Sequence, residues 1–204
     1  MKTRILLTVL AITLIITVFA PGKAHARGHD GFYMGVGVLT MPQFSTEHRM
    51  TVLGGSSPRL KFYPGFGGWL LLGYDIPNSM WGIQMPFEYQ YFKLNGQEWT
   101  SQIGSTLEAV ARVAQWANGW EFHVLGGVGW THLFEGTIGN QTAATGMTAE
   151  IGPGFSWFFK RDDSRASLTF ELPLRYTYFF GNNLSRNGTS VFAIPVRIGV
   201  TFAF

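Results

Sequence analysis

Residues Trp81–Phe92 read WGIQMPFEYQYF. Trp81, Ile83, Met85, Phe87, Tyr89 and Tyr91 alternate with Gly82, Gln84, Pro86, Glu88 and Gln90. Successive side chains of a strand point to opposite faces, so this segment predicts a β-strand with one oily and one polar side. The oily side begins and ends in aromatic residues. The polar side carries a carboxylate, two amides and a proline.

The same period recurs along the chain. It is present in SLTFELPLRYTYFF (167–180), WEFHVLGGVGW (120–130), MTAEIGPGFSWFF (147–159) and VRIGVTFAF (196–204). FYMGVGVL (32–39) and GGWLLLGYDI (67–76) supply two more strands. STLEAVARVAQW (105–116) is ambiguous, because Ser105 and Glu108 also fit a helix capping box. The following Asn118-Gly119 is a two-residue hairpin signal and decides for a strand. Such a turn pairs Leu107 with Trp130 and Ala111 with Gly126, and sets Arg112 diagonal to His123. Eight strands result. The turns PNSM, NG and KRDDSRA alternate with longer connections, expected near 41–63, 93–104, 133–146 and 181–190.

Composition narrows the solvent. Charged residues are only 13% and aromatics 16%, and there is no cysteine. An ordinary soluble domain carries about 25% charged residues. Lys2 and Arg4 precede an apolar run, Ile5–Ala20, and then PGKAHA with Ala24 and Ala26. That order matches a secretory signal peptide cut after Ala26, and the run is short of the ~20 residues a membrane helix needs. The expected division is residues 1–26 as signal peptide and 27–204 as one barrel domain. The leader removes three basic residues and no acidic one, leaving a formally neutral chain with no argument for a nucleic-acid partner.

Aromatics gather at both strand ends. Trp81, Trp120, Trp157, Phe159, Phe202 and Phe204 fall at the short-turn end; Tyr89, Tyr91, Trp130, Tyr176, Tyr178 and Phe180 fall at the other. Two outward girdles, short turns and long loops are the pattern of an outer-membrane barrel, with long loops extracellular and short turns periplasmic. The expected fold class is therefore all-β: an eight-stranded antiparallel up-and-down transmembrane β-barrel.

On these residues the chain resembles the small bacterial outer-membrane barrels of the OmpA and OmpX type. The resemblance is one of architecture and carries no subfamily motif. It implies that the last strand, with Val196, Ile198, Val200, Phe202 and Phe204, is the signal read by the barrel-assembly machinery. It also implies a Gram-negative cell envelope, surroundings of membrane lipid and lipopolysaccharide, and a monomer.

Eight strands leave a lumen that side chains fill. The inward positions carry Glu88, Glu108, Arg112, Glu121, His123, Glu150, Glu171, Arg175 and Arg197, which are expected to pair as a charge network. The KRDDSRA turn places Arg175 across from Gly152 and diagonal to Glu150. His123 reads as a network member; no cluster has metal-ligand spacing, and neither metal nor cofactor is expected. QMPFEY, ELPLRY and AIPVRI repeat one pattern, with Pro86, Pro173 and Pro195 inward, and Pro153 adds a fourth strand proline. A proline donates no ladder hydrogen bond, so each marks a bulge or a gap, and together they outline a lateral gate near strand seven. In the same register Pro153 falls opposite Leu174.

The first functional reading is a structural or surface-interaction barrel without an open pore, its loops available to an extracellular ligand. One alternative is a lipid A-modifying enzyme, an acyltransferase or deacylase with lateral lipid access. It would need a histidine near a serine and an acid. His48 beside Glu47, His132 near Glu135, and Ser45, Ser56, Ser57, Ser185 and Ser190 are the residues in question. A second alternative is a narrow channel for an ion or small solute. Arg49, Arg59, Lys61 and Lys93 lie on the loop side, at the height of lipid phosphates.

Overall fold

The computed structural model describes residues 31–45, 51–52, 55–56, 63–94, 98–116, 118–134, 144–159, 166–180 and 189–204. Eleven strand segments form one continuous antiparallel sheet that closes on itself. Three staves of the barrel are each split in two, so the wall has eight. Strand one is Gly31–Met41 with Gln43–Ser45, two is Gly65–Asp75, three is Trp81–Leu94 and four is Glu98–Gln115. Strand five is Trp120–Phe134, six is Ala144–Phe158, seven is Ala166–Glu171 with Leu174–Phe179, and eight is Thr189–Ala193 with Val196–Ala203. Each strand pairs with the next in sequence, and strand eight returns to strand one, with Val36 opposite Val200. A separate two-stranded ribbon, Thr51–Val52 with Gly55–Ser56, lies in the first long connection. The residues of the signal peptide, and His48, Arg49, Arg59, Lys61, Glu47, Glu135, Ser57 and Ser185, lie outside the described residues.

Sidedness follows the sequence pattern. Phe32, Val38, Leu70, Ile83, Leu107, Val128, Ile151, Leu174 and Ile198 are exposed, whereas Glu88, Glu108, Glu150, Glu171, Arg175 and Arg197 are buried. An apolar exterior around a polar interior is a bilayer arrangement: closure leaves no strand edge for lipid to face.

Three expectations of register and length are corrected. The third connection is not long. Strand four starts at Glu98, so 98–104 extends the pairing with strand three up to Leu94 opposite Glu98. Its pattern is diluted by the outward Ser101, which hid it.

The Asn118-Gly119 turn is the second correction. Trp116 N donates to Trp120 O at 2.8 Å, so the loop has three residues rather than two. Gly119 adopts φ 90°, the left-handed residue a three-residue hairpin needs. An odd loop alone would reverse every side chain of strand four. A bulge between Arg112 and Ala114 absorbs the extra residue and restores the facing. Leu107 therefore meets Val128, Ala111 meets Val124, and Arg112 stands directly across from His123.

The third concerns strands six and seven. Arg175 lies directly opposite Glu150, not Gly152. Leu172 N donates to Pro153 O at 3.0 Å, so Pro153 faces Leu172 rather than Leu174. The hairpin closes earlier than KRDDSRA suggested: Phe159 N donates to Ala166 O at 3.3 Å, and the register moves by two residues.

Candidate functional site

The lumen is the candidate site. Inward glycines make room for inward rings there. A Cβ on Gly199 would meet the Trp69 ring at 2.6 Å, and one on Gly154 would collide with the His123 imidazole. Small residues on one stave thus seat large ones from a neighbouring stave or the one beyond it.

At the centre, Arg197 has no exposed surface. Its Nε donates to Glu88 Oε1 at 2.6 Å and its Nη2 to Glu150 Oε1 at 2.6 Å. Its Nη1 donates to Glu108 Oε1 at 3.1 Å and to Glu171 Oε2 at 3.0 Å. Arg175 donates from Nε to Glu150 Oε2 at 2.7 Å, and from Nη1 and Nη2 to the two oxygens of Glu88 at 2.5 and 2.9 Å. Four carboxylates face two guanidiniums, and neutral donors serve the remainder. Gln84 Nε2 donates to Glu108 at 2.7 Å and to Glu171 at 2.9 Å. Thr106 Oγ1 lies 2.6 Å from Glu108 and 3.0 Å from Glu150. Charged groups this deep are tolerable only when paired and hydrogen-bonded, and these are.

Glu88, Arg175 and Arg197 each follow an inward proline by two residues, Pro86, Pro173 and Pro195. The three copies of the sequence pattern thus converge on one ion cluster. Pro173 and Pro195 also interrupt strands seven and eight, and Pro86 falls where the ladder between strands three and four skips from Gln84–Glu108 to Phe87–Ser105.

Nearer the short-turn end is a second group. Arg112 pairs with Asp75 and lies 3.3 Å from Glu121 Oε1. His123 Nε2 is 3.7 Å from Glu171 Oε1 and so links the two groups. Asp75 escaped the sequence reading, although GGWLLLGYDI places it on the inward parity with Trp69 and Leu71. Tyr33, whose hydroxyl donates to Gln84 at 3.0 Å, escaped it too. Arg112 Nη1 and Glu121 Oε2 find no hydrogen-bond partner among the described residues. Both border a cavity of about 20 Å³, room for about one water molecule.

Toward the long loops the lumen is capped by apolar side chains. Phe92, Leu133, Ala144, Phe179 and Val191 form one buried cluster. Between cap and ion cluster run the hydroxyls of Thr131, Thr148 and Thr177, spaced 2.8 and 3.0 Å.

The other candidate residues are dispersed. His132 is on the outward face with Nδ1 2.8 Å from Thr145 Oγ1, and Ser190 sits beside the Tyr176 hydroxyl at 2.9 Å. No serine–histidine–acid constellation is formed among the described residues. Nor does any group of three His, Cys, Asp or Glu there fit a metal ion. Ile198, Phe202 and Phe204 point outward from the last strand.

Solved structures share this architecture. The outer membrane protein OprG from Pseudomonas aeruginosa superposes with a TM-score of 0.59 at 14% identity, over 86% of this chain and 96% of that one. Neisserial surface protein A gives 0.57 at 16% identity, over 86% and 98%. No family model matches the sequence, and no curated protein does. At these identities the likeness establishes the fold alone: an eight-stranded β-barrel of the architecture seen in small outer membrane proteins.

Proposed function

We propose that the chain is a sealed wall protein that acts at its surfaces, as a structural element of the outer membrane and through its extracellular loops. One observation carries this reading. Arg197, from the last strand, holds carboxylates from strands three, four, six and seven across the whole lumen, and an apolar cap lies above them. Water and ions have no continuous path through such a section. Purified protein in planar bilayers should give no unitary current steps. A steady conductance that appears with the protein and is absent from protein-free bilayers would overturn the reading in favour of a channel.

The prolines support a gap in the wall more than an entrance. Behind Pro173 and Pro195 stand Glu171, Arg175 and Arg197, so an acyl chain entering there would have to displace buried ion pairs. The lipid-modifying alternative is weakened accordingly. The reading also takes residues 1–26 as a cleaved leader, 27–204 as the barrel domain, and Val196, Ile198, Val200, Phe202 and Phe204 as the insertion signal for the assembly machinery. Its supports are the order of charge, apolar run and small residues at the N-terminus, and the outward aromatics of the last strand. Protein extracted from outer membranes should begin at Arg27.

A further inference from the structure

The outward face is almost without charge. Among its described side chains, Lys93 is the one lysine or arginine; the other described Lys and Arg residues, Arg112, Arg175 and Arg197, point into the lumen. Lys93 stands at the loop end of strand three, opposite Trp99 of strand four. Its Nζ lies 5.2 Å from the Trp99 ring centroid. Phe66 meets the same indole edge-on at 5.6 Å and faces Tyr91 across the ladder. Tyr91 packs edge-on against Tyr89 at 5.0 Å. The rings stay about half exposed: Phe66 60%, Trp99 51%, Tyr91 42%. Ser101, opposite Tyr91, continues the row with a hydroxyl.

An interfacial girdle needs only amphipathic rings. Here a cation is held in place over one of them, with apolar faces directly below and phenol and hydroxyl groups beside it. That combination complements an amphiphile whose anionic head lies at the girdle and whose chains run down the wall. At the height of the extracellular girdle the anionic head is a phosphate on the sugar of an outer-leaflet glycolipid. A phosphate accepts strong charge-assisted hydrogen bonds from an ammonium group.

We propose that Lys93, with Phe66, Tyr91 and Trp99, docks one phosphate and the adjoining acyl chains of a phosphorylated outer-leaflet glycolipid. The site rests on the outer-membrane orientation given above and names its lipid partner.

The test uses the mature chain, refolded in detergent and checked by its heat-modifiable folded band. Native mass spectrometry then counts lipids retained from bisphosphorylated lipid A, dephosphorylated lipid A, phosphatidylglycerol and phosphatidylcholine. Bisphosphorylated lipid A should be retained about tenfold better than its dephosphorylated form, the worth of one charge-assisted bond. Lys93→Gln should remove that preference and Lys93→Arg should keep it. The folded band of all three proteins should be equal, because Lys93 is outside the lumen network. Retention independent of phosphate, or unchanged in Lys93→Gln, overturns the site. Equal retention of phosphatidylglycerol overturns the commitment to a glycolipid. A missing folded band in the unsubstituted chain would instead strike the barrel reading itself.

Discussion

Pro173 and Pro195 stand directly opposite each other between strands seven and eight. The pairs Glu171–Arg197 and Arg175–Ala193 flank them in the same register. Leu172 N points to strand six and Ile194 N to strand one, where they donate to Pro153 and Pro42. Backbone donors alternate in direction along a strand, so the two prolines occupy the site where each should donate to the other. Neither can. Two consecutive ladder bonds are therefore missing inside the membrane.

That gap should be visible in hydrogen exchange. Amides at 171–175 and 193–197 should exchange about tenfold or more faster than those of strand five, as expected from the loss of ladder bonds worth about 1 kcal/mol each. Mass spectrometry in lipid vesicles measures it. Uniform protection around the barrel would contradict the gap.

Arg197 is the residue whose loss should cost most. Arg197→Met leaves Glu88, Glu108, Glu150 and Glu171 short of a shared partner. Breaking a buried pair on one side costs about 3–5 kcal/mol. Glu88→Gln keeps an acceptor for both arginines and should cost less, about 1–3 kcal/mol. Urea unfolding in vesicles, followed by tryptophan fluorescence, should rank them in that order; the reverse rank would show that the network is not centred on Arg197.

Gly119 should resist substitution. Its φ of 90° belongs to the left-handed side, and an added Cβ would sit 2.9 Å from Phe158 O. Gly119→Ala should destabilise the barrel by about 1 kcal/mol or more. An unchanged unfolding midpoint would mean that the hairpin closes with a different loop.

Gly154→Ala should act at a distance from its own strand. The new methyl would occupy the space of the His123 ring, which must then leave Glu171. Overpacking of this kind costs about 1–3 kcal/mol. The His123 imidazole resonances should shift while those of His132 stay in place. Movement of both would point to general unfolding instead.

The sequence displays sidedness because each strand tests it residue by residue: Ile83 against Gln84, Leu174 against Arg175. It displays register poorly. Asn118-Gly119 suggested a two-residue loop, and the bulge after Arg112 that compensates for the third residue has no signature in VARVA. Contacts across the lumen are less legible still. Glu88 and Arg197 are 109 residues apart and touch only because of the stagger with which the sheet closes. The Thr131–Thr148–Thr177 row and the phenylalanine cap depend on the same stagger. The prolines were visible as a repeated pattern, but their convergence on one ion cluster was not.

The position of Arg197 on the final strand gives barrel closure an electrostatic lock. Without strand eight, the acids contributed by strands three, four, six and seven would have Arg175 as the guanidinium among them, and their mutual repulsion would oppose closure. Seating the last strand delivers a counter-ion to all four at once. Zipping up the seam and bringing the second guanidinium to the acids are thus a single event, and a chain that mis-registers its last strand by two residues forfeits both.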